Sequence, residues 1–224
     1  MKQTTRSPIL SEDLFKTIWK EGANLLKDVV LFDVYEAEDV GDKNKSLAFA
    51  LKFQSENFTT TTIRPATVCG YSPRQRLDVV VNILTNLAYH KREISIFGGD
   101  QLRPNIHIVD MVEAYMVLLR APKEKIAGKI YNAGYENQPV KKIAETVKSV
   151  VGEDVKLITT SSDDNRSYHI SSNKIKTELG FEAKHTIRDA VKDLCTAFDK
   201  NLLPNSLSNE MYFNIKRMQN LNLV

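Results

Sequence analysis

Residues 97–112 read FGGDQLRPNIHIVDMV, a succession of strand end, glycine-rich loop, strand and helix start that decides the fold of the larger part of the chain. The apolar run at 94–97 predicts a strand that ends as this stretch begins. Residues 98–105 are polar and begin with two glycines, so they predict a loop. Arg103 is therefore expected in a loop.

The remainder of this stretch turns from strand to helix. Residues 106–108 alternate between apolar and polar, which predicts a short strand with His107 on its surface side. Asp110 and Glu113 have the spacing of a capping box. We therefore expect Asp110 to cap the next helix rather than to act as a catalytic acid.

Strand and helix patterns alternate on both sides of this stretch, which predicts an α/β fold. Three aromatic residues, Tyr115, Phe181 and Phe198, lie at spacings typical of a core. The predicted strands are 59–64, 129–134 and 154–159, and the predicted helices are an apolar-striped segment around 80–88 and the segments 140–151, 173–179 and 186–199.

The first 55 residues differ from the rest in pattern. Ser11 can cap a short helix with an apolar stripe that ends at Gly22. Residues 28–36 are rich in β-branched and aromatic types, and residues 46–53 alternate strictly, so both predict strands. The expected order is helix, strand, loop, strand.

Composition excludes several classes of protein. The chain has 224 residues, 42% hydrophobic and 26% charged, which is typical of a soluble globular protein. Its formal net charge of +3 comes from scattered residues, so a general polyanion-binding function is not expected. No apolar run is long enough for a signal peptide or a membrane span, and we expect a cytoplasmic protein.

The two cysteines do not indicate a metal site or a reactive thiol. Cys69 and Cys195 are far apart, with no paired-cysteine motif and no adjacent His. Cys195 lies on the apolar stripe of a predicted helix, where a cysteine acts as a small hydrophobic residue. Cys69 has no basic neighbour that would favour a thiolate.

Four segments of the larger part resemble, in order, the C-terminal half of the extended short-chain dehydrogenase/reductases, the NAD-dependent epimerase/dehydratase family that acts on nucleotide sugars. They are IRPATVCGYSPR (63–74), FGGDQLRPNIHIVDMV (97–112), IYNAGYE (130–136) and DNRSYHISSNKIKTELGF (164–181). The resemblance covers residues 58–199. It implies a partial Rossmann-like sheet with an epimerase-type substrate lobe.

The same resemblance implies a set of substrate-binding residues. Arg103 and Arg166 match family positions at which arginines hold the diphosphate of a nucleotide sugar, and Arg74 flanks the same pocket. Guanidinium groups suit this task because they bind phosphate oxygens in pairs. Pro104, Asn105 and Val109 replace the commoner acidic and aromatic residues of the family, which leaves the identity of the sugar open.

Part of the N-terminal region resembles the ferredoxin-fold anticodon-binding domain of the phenylalanyl-tRNA synthetase β subunit. The resemblance rests on LFDVYEAEDV (31–40) and KSLAFALKFQ (45–54), and it spans residues 12–54. It implies a partial ferredoxin-like α+β fragment and, in the family, contact with tRNA. The alternative, which we favour, is that these strands serve only for packing.

Two features that the epimerase family requires are absent from this sequence. No glycine-rich dinucleotide-binding motif occurs, because Gly22 and Gly41 are the only glycines before Gly70. The only Tyr-x-x-x-Lys motif is Tyr212…Lys216, which lies far after the family position. We therefore expect no catalytic residue and no bound NAD, the cofactor of the parent family.

The chain thus has the character of a chimera. We divide it into a ferredoxin-like fragment at 1–55, an epimerase-like part at 56–200 and a C-terminal tail at 201–224. The expected function is vestigial binding of a nucleotide sugar without catalysis. The alternatives are an active epimerase, dehydratase or reductase completed by a partner chain, and an RNA-binding module. Exposed strand edges predict self-association.

Overall fold

The computed structural model describes residues 16, 19–20, 26–35, 46–53, 59–161 and 166–221. Its contacts divide the chain into two compact units, Met1–Thr60 and Thr61–Val224. Residues 201–221 therefore lie in the same unit as the epimerase-like part.

The nine described strands are short apart from the first two. They are β1 (Leu26–Tyr35), β2 (Ser46–Phe53), β3 (Thr62–Pro65), β4 (Thr67–Cys69), β5 (Glu93–Phe97), β6 (Leu102–His107), β7 (Ile130–Ala133), β8 (Glu136–Pro139) and β9 (Lys156–Thr160).

Seven α-helices are described, all of four residues or more, in the larger unit. They are α1 (Val80–Lys91), α2 (Ile108–Arg120), α3 (Lys123–Ile126), α4 (Val140–Val151), α5 (Asn173–Leu179), α6 (Ile187–Asp199) and α7 (Asn214–Asn220).

The smaller unit contains an antiparallel strand pair. Strand β1 pairs with β2 from Leu26 opposite Phe53 to Tyr35 opposite Ser46, with register shifts on the way. Both predicted strands are therefore confirmed within two residues of their ends. The helix predicted after Ser11 lies largely outside the described residues.

The larger unit holds three further sheets. Strand β3 pairs in parallel with β7, β5 pairs in parallel with β9, and β4, β6 and β8 form a three-stranded sheet with β6 in the middle. Parallel strands joined through helices are the expected arrangement of an α/β fold. The α/β class predicted for this part of the chain is confirmed.

The expected positions of Arg103 and Asp110 in the stretch at 97–112 were wrong. Residues 102–107 form strand β6, so Arg103 lies in a strand and not in the predicted loop. Helix α2 begins at Ile108, and its N-cap is His107, whose Nδ1 accepts from the Val109 amide at 3.2 Å. Asp110 lies within the first turn and is not the cap.

Helices cover the sheets and form the core. Buried residues of α1, α4 and α6 pack together against strand β5. Helix α6 begins with a capping box in which Thr186 and Asp189 exchange hydrogen bonds. Phe181 and Phe198 are buried as predicted, whereas Tyr115 is 48% exposed, so its assignment to the core was wrong.

The C-terminal residues pack onto helix α1 and the loop before it. Asn86 on α1 donates to the Ser206 carbonyl at 3.0 Å and accepts from the Ser206 hydroxyl at 2.7 Å. The Leu77 amide donates to the Tyr212 carbonyl at 2.9 Å. Leu203 is buried in the same cluster. These contacts hold residues 203–212 against the rest of the larger unit.

Candidate functional site

The three-stranded sheet places several polar residues side by side. Strand β6 pairs with β8 so that Arg103 lies opposite Gln138 and Asn105 lies opposite Glu136. Because alternate residues of a strand share a face, Arg103 and Asn105 lie on the same face of the sheet. This polar face is the candidate site.

The side chain of Arg103 contacts the backbone of Arg166, and the diphosphate-binding role of both arginines stays a prediction. The Arg103 Nη1 donates to the Arg166 carbonyl at 2.5 Å and to the Leu102 carbonyl at 3.0 Å. The Arg103 guanidinium lies over the Tyr168 ring, 5.6 Å from its centroid. A guanidinium on an aromatic face is held in orientation without losing its capacity to bind an anion.

Residues 166–168 pack against the start of strand β6. The Leu102 amide donates to the Ser167 hydroxyl at 3.0 Å, and the Tyr168 amide donates to the Leu102 carbonyl at 3.4 Å. These contacts explain why the Arg103 side chain reaches the backbone of a residue 63 positions later in the sequence.

Asn105 is a residue of the site that the sequence did not single out for a role. Its side chain is 1% exposed, and its Nδ2 donates to the Arg103 carbonyl at 2.8 Å. Among the described residues no group donates to its Oδ1. A buried acceptor without a donor is costly, so this atom is suited to a water or a ligand hydroxyl.

Arg74 lies on a separate, well-braced turn. The buried Gln75 accepts from the Ser72 amide at 2.9 Å and donates to the Gly70 carbonyl at 3.3 Å. The Arg74 guanidinium donates to the Gln75 carbonyl at 3.3 Å. Among the described residues, Arg74 and Arg103 do not contact each other and share no hydrogen-bond partner.

The direction of the strands accounts for this separation. Strands β4 and β6 are parallel, with Cys69 opposite His107. Arg74 follows the carboxyl end of β4, whereas Arg103 lies near the amino end of β6. The role implied for Arg74 stays a prediction.

A cluster of His and Asp residues lies beyond the other end of β6. His107 is 2% exposed, which contradicts its predicted surface position, because helix α6 covers this face of the strand. Its ring stacks on that of His185 at 5.0 Å between centroids. Its Nε2 lies 3.2 Å from an Asp193 carboxylate oxygen, although not in hydrogen-bond geometry.

The Asp110 carboxylate connects two segments of the chain in this cluster. One of its carboxylate oxygens accepts from the Lys184 amide at 3.0 Å and from the His185 amide at 2.8 Å. The other oxygen lies 2.8 Å from His185 Nδ1. With these partners and only 4% exposure, Asp110 joins helix α2 to the segment before α6 and is not placed for proton transfer to a ligand.

Cys69 and the Tyr212–Lys216 pair are also unsuited to catalysis. Burial, followed by the charges of Glu136 and Asp110, raises the pKa of the Cys69 thiol to about 12, so the thiolate is not formed near neutral pH. Tyr212 lies in a 3₁₀ turn and Lys216 in helix α7, and the Lys216 ammonium lies over the Phe213 ring at 4.6 Å. The described contacts do not join Tyr212 to Lys216.

A cleft of about 390 Å³ opens beside the site. Its wall includes Asn137, whose amide group exchanges hydrogen bonds with the Ile170 backbone at 2.9 and 3.1 Å. Its rim includes Tyr135, Lys176 and Glu182. Lys176 and Glu182 are ion-paired with one another, so the rim presents no net charge.

Within the described part of the chain, His, Cys, Asp and Glu form no group of three or more that could hold a metal. None of the described helices is both long and apolar enough to cross a membrane.

Comparison with known proteins gives two family matches in one chain. Residues 44–134 match the NAD dependent epimerase/dehydratase family, and residues 5–64 match the ferredoxin-fold anticodon binding domain. The two matches overlap at 44–64, where the two parts of the chain are joined. The chain combines segments that resemble two different families, as the sequence predicted.

Similar proteins of known name agree with each match. UDP-glucuronic acid decarboxylase 6 of Arabidopsis thaliana is 28% identical over 67% of this chain and 45% of its own length. The phenylalanine–tRNA ligase beta subunit of Cutibacterium acnes is 42% identical over 24% of this chain and 6% of its own length. The chain spans less than half of each of these two proteins.

Solved structures share the fold of the larger unit. UDP-glucose 4-epimerase of Thermotoga maritima, solved with UDP-glucose, aligns with a TM-score of 0.55 and 26% identity over 63% of this chain and 46% of that one. UDP-glucuronic acid 4-epimerase of Bacillus cereus, with UDP-glucuronic acid and NAD, aligns with the same TM-score and 22% identity, over 63% of this chain and 45% of that one.

Proposed function

We propose that the larger unit of this chain binds a nucleotide-sugar diphosphate through Arg103 and Arg166 and does not by itself convert it. The observation that carries this proposal is the contact between the Arg103 guanidinium, on the polar face of the β4–β6–β8 sheet, and the backbone of Arg166. The solved enzyme of the same fold that was crystallised with UDP-glucose supports the choice of ligand.

The chemistry of the site fits an anionic ligand. Asn105 and Tyr168 hold the backbone and the guanidinium of Arg103 in place before a ligand arrives, which lowers the entropic cost of binding. A diphosphate oxygen would replace the Arg166 carbonyl as the acceptor of Arg103 Nη1. A charged acceptor makes a shorter and stronger bond than a neutral one.

We expect no turnover for two reasons: the sequence lacks a glycine-rich cofactor loop, and its only Tyr-x-x-x-Lys pair is divided between two elements. Pyrophosphate binding by a Rossmann domain needs a glycine-rich turn before a helix, and no segment of the sequence has that pattern. Proton transfer in this family needs Tyr and Lys on one helix, whereas Tyr212 and Lys216 lie in different elements. We therefore propose that the chain binds no NAD.

Calorimetric titration with UDP-glucose tests the binding site. We expect weak binding that Arg103→Ala reduces about 10- to 100-fold, because each charged hydrogen bond contributes about 1.5–3 kcal/mol. Arg188→Ala is the matched control, since Arg188 is an exposed arginine on α6 that bonds to Ser149. Equal affinity in the two variants, or no binding at millimolar ligand, would contradict the proposal.

Titration with NAD separates this proposal from an enzyme completed by a partner chain. We expect no heat of binding from the purified chain and no cofactor absorbance after purification. Tight NAD binding, or epimerase activity that appears when a separate cofactor-binding chain is added, would favour the second interpretation. The free cysteines are compatible with the cytoplasmic location that we propose.

RNA binding by the smaller unit is a second candidate function. It is supported by the match of residues 5–64 to the anticodon binding domain. We expect little affinity, because the basic residues of the whole chain are not clustered. A gel-shift titration with phenylalanine tRNA, with and without residues 61–224, would reveal a specific complex if one forms.

A further inference from the structure

Helix α2 is apolar on two faces. Only Asp110, Glu113 and Arg120 are charged among its 13 residues. Its inner face is buried in the core through Met111, Ala114 and Leu118. Four more apolar residues are exposed on another face: Val109 (50%), Val112 (53%), Tyr115 (48%) and Leu119 (78%). A helix that is apolar all round is normally covered on both sides.

Three of these exposed residues, together with the half-buried Met116, have the spacing of a helix–helix seam. Val109, Val112, Met116 and Leu119 are separated by three, four and three residues, the a/d pattern of a coiled coil. At about 100° per residue they and Tyr115 fall within an arc of about 120°. A stripe of this shape fits a second helix that lies along it.

The charges beside this stripe indicate which helix fits. Glu113 and Arg120 flank the same side of the stripe two turns apart, and both are exposed. Neither forms an ion pair with another described residue. In an antiparallel pair of α2 helices centred between Met116 and Val117, Glu113 of each copy lies opposite Arg120 of the other. In a parallel two-fold pair, the flanking charges of the two copies lie on opposite sides of the seam, so no such charge pair forms.

We propose that two copies of this chain associate through antiparallel packing of their α2 helices. This surface is separate from the Arg103 site, so the proposal does not depend on the proposed function. One helix pair buries less than the roughly 800 Å² per partner of a standard interface. The association is therefore reversible and depends on protein concentration.

Sedimentation velocity across a micromolar to millimolar range tests the proposal. We expect the mass to rise from 25.4 kDa towards twice that value. Leu119→Glu should raise the dissociation constant more than tenfold while leaving the circular dichroism spectrum unchanged, because Leu119 is so exposed. Ile215→Glu is the matched control, as Ile215 is a 65% exposed apolar residue on α7.

Charge exchange tests the antiparallel arrangement. Arg120→Glu alone and Glu113→Arg alone should each weaken the dimer, because they place like charges opposite one another. The double variant should restore it. A monomer at every concentration, a dimer that tolerates Leu119→Glu, or a double variant no stronger than the single variants would each overturn the proposal.

Discussion

At Gly70 the backbone has a φ of 96°, a conformation that residues with a Cβ rarely adopt. A Cβ at this position would lie 2.9 Å from the Nε2 atom of His107. His107 cannot move aside easily, because it is buried and its other ring nitrogen caps helix α2. The turn that carries Arg74 therefore depends on a glycine at its start.

We expect Gly70→Ala to lower the free energy of unfolding by about 2–5 kcal/mol. Backbone strain accounts for about 1–2 kcal/mol, and the contact with His107 adds about 1–3 kcal/mol. Gly128→Ala is the control, since Gly128 has a φ of 68° with no atom within 4 Å of the added Cβ. Urea unfolding of both variants measures the difference, and equal losses would show that the contact costs nothing.

Protonation of His107 should destabilise the larger unit. Burial is the main reason that its pKa lies below the ordinary value of 6.5, and the His185 charge acts in the same direction, against Asp193 and Asp110. The unfolded chain therefore takes up this proton at a higher pH than the folded chain does. Stability is unaffected above pH 6.5 and falls as the pH drops from there towards the folded pKa.

Urea unfolding at pH 7 and pH 5 measures this effect. His107→Asn keeps a side-chain acceptor for the helix cap but cannot titrate, so it should lose less stability between these two values. His90 also has a pKa lowered by burial and contributes to the wild-type slope, so His90→Gln provides the comparison. A His107→Asn variant with the wild-type slope would show that another group controls the response.

At the scale of elements, the C-terminal segment is held to helix α1 by a buried pair of hydrogen bonds. Ser206→Ala removes the donor to Asn86 Oδ1 and leaves a buried acceptor unsatisfied. We expect a loss of about 1–3 kcal/mol in the free energy of unfolding. Ser208→Ala, at an exposed serine nearby, should change it by less than about 0.5 kcal/mol. Thermal unfolding of both variants tests this difference.

Local sequence pattern predicted most of the helices and strands that are determined by neighbouring residues. Helices α4 and α5 were placed to the residue, because apolar spacing and the glycines at 152 and 180 mark them. Strand β8 was missed, and the first four of the six residues of β6 were taken for a loop. Both strands are stabilised by antiparallel pairing between residues about 35 apart, which leaves no local pattern.

The contacts of the candidate site could not be predicted from local pattern either, because they join residues far apart in the sequence. Family resemblance indicated binding roles for Arg103 and Arg166, which stay predictions, and the structure places the 166–168 segment against the start of β6. No periodicity in the sequence marks Asn105 as a buried acceptor. Asp110 was predicted as a cap from spacing alone, whereas its hydrogen-bond partners lie more than 70 residues later.

At the scale of the whole molecule, the two units should unfold separately. The buried residues of the described clusters all lie between residues 66 and 203. In the smaller unit the described residues form one strand pair, and a strand pair by itself is marginally stable. Trp19 is the only tryptophan and belongs to the smaller unit, and the described α-helices from Val80 onward belong to the larger one. Two spectroscopic probes therefore report on different units.

We expect tryptophan fluorescence to change at a lower urea concentration than far-ultraviolet circular dichroism. Separate transitions show that the chain does not unfold in a two-state manner. A Trp19→Phe variant should lose the fluorescence transition and keep the dichroism transition, which identifies the origin of each signal. Coincident curves would mean that the joined segments behave as one cooperative domain.

Among the described strands, none pairs with the edge of β3 that faces away from β7. The residues at this edge affect which assemblies the chain can form. Strand β3 has only four residues, and the last two are an exposed Arg64 and an exposed Pro65. A short strand with a charge and a proline is a poor template for strand addition, which can repeat without limit and produce fibres. Pairing of two α2 helices uses the same surface of both copies, so growth stops at two. Loss of the Arg64 charge would remove a barrier to fibres and leave the helix pair intact.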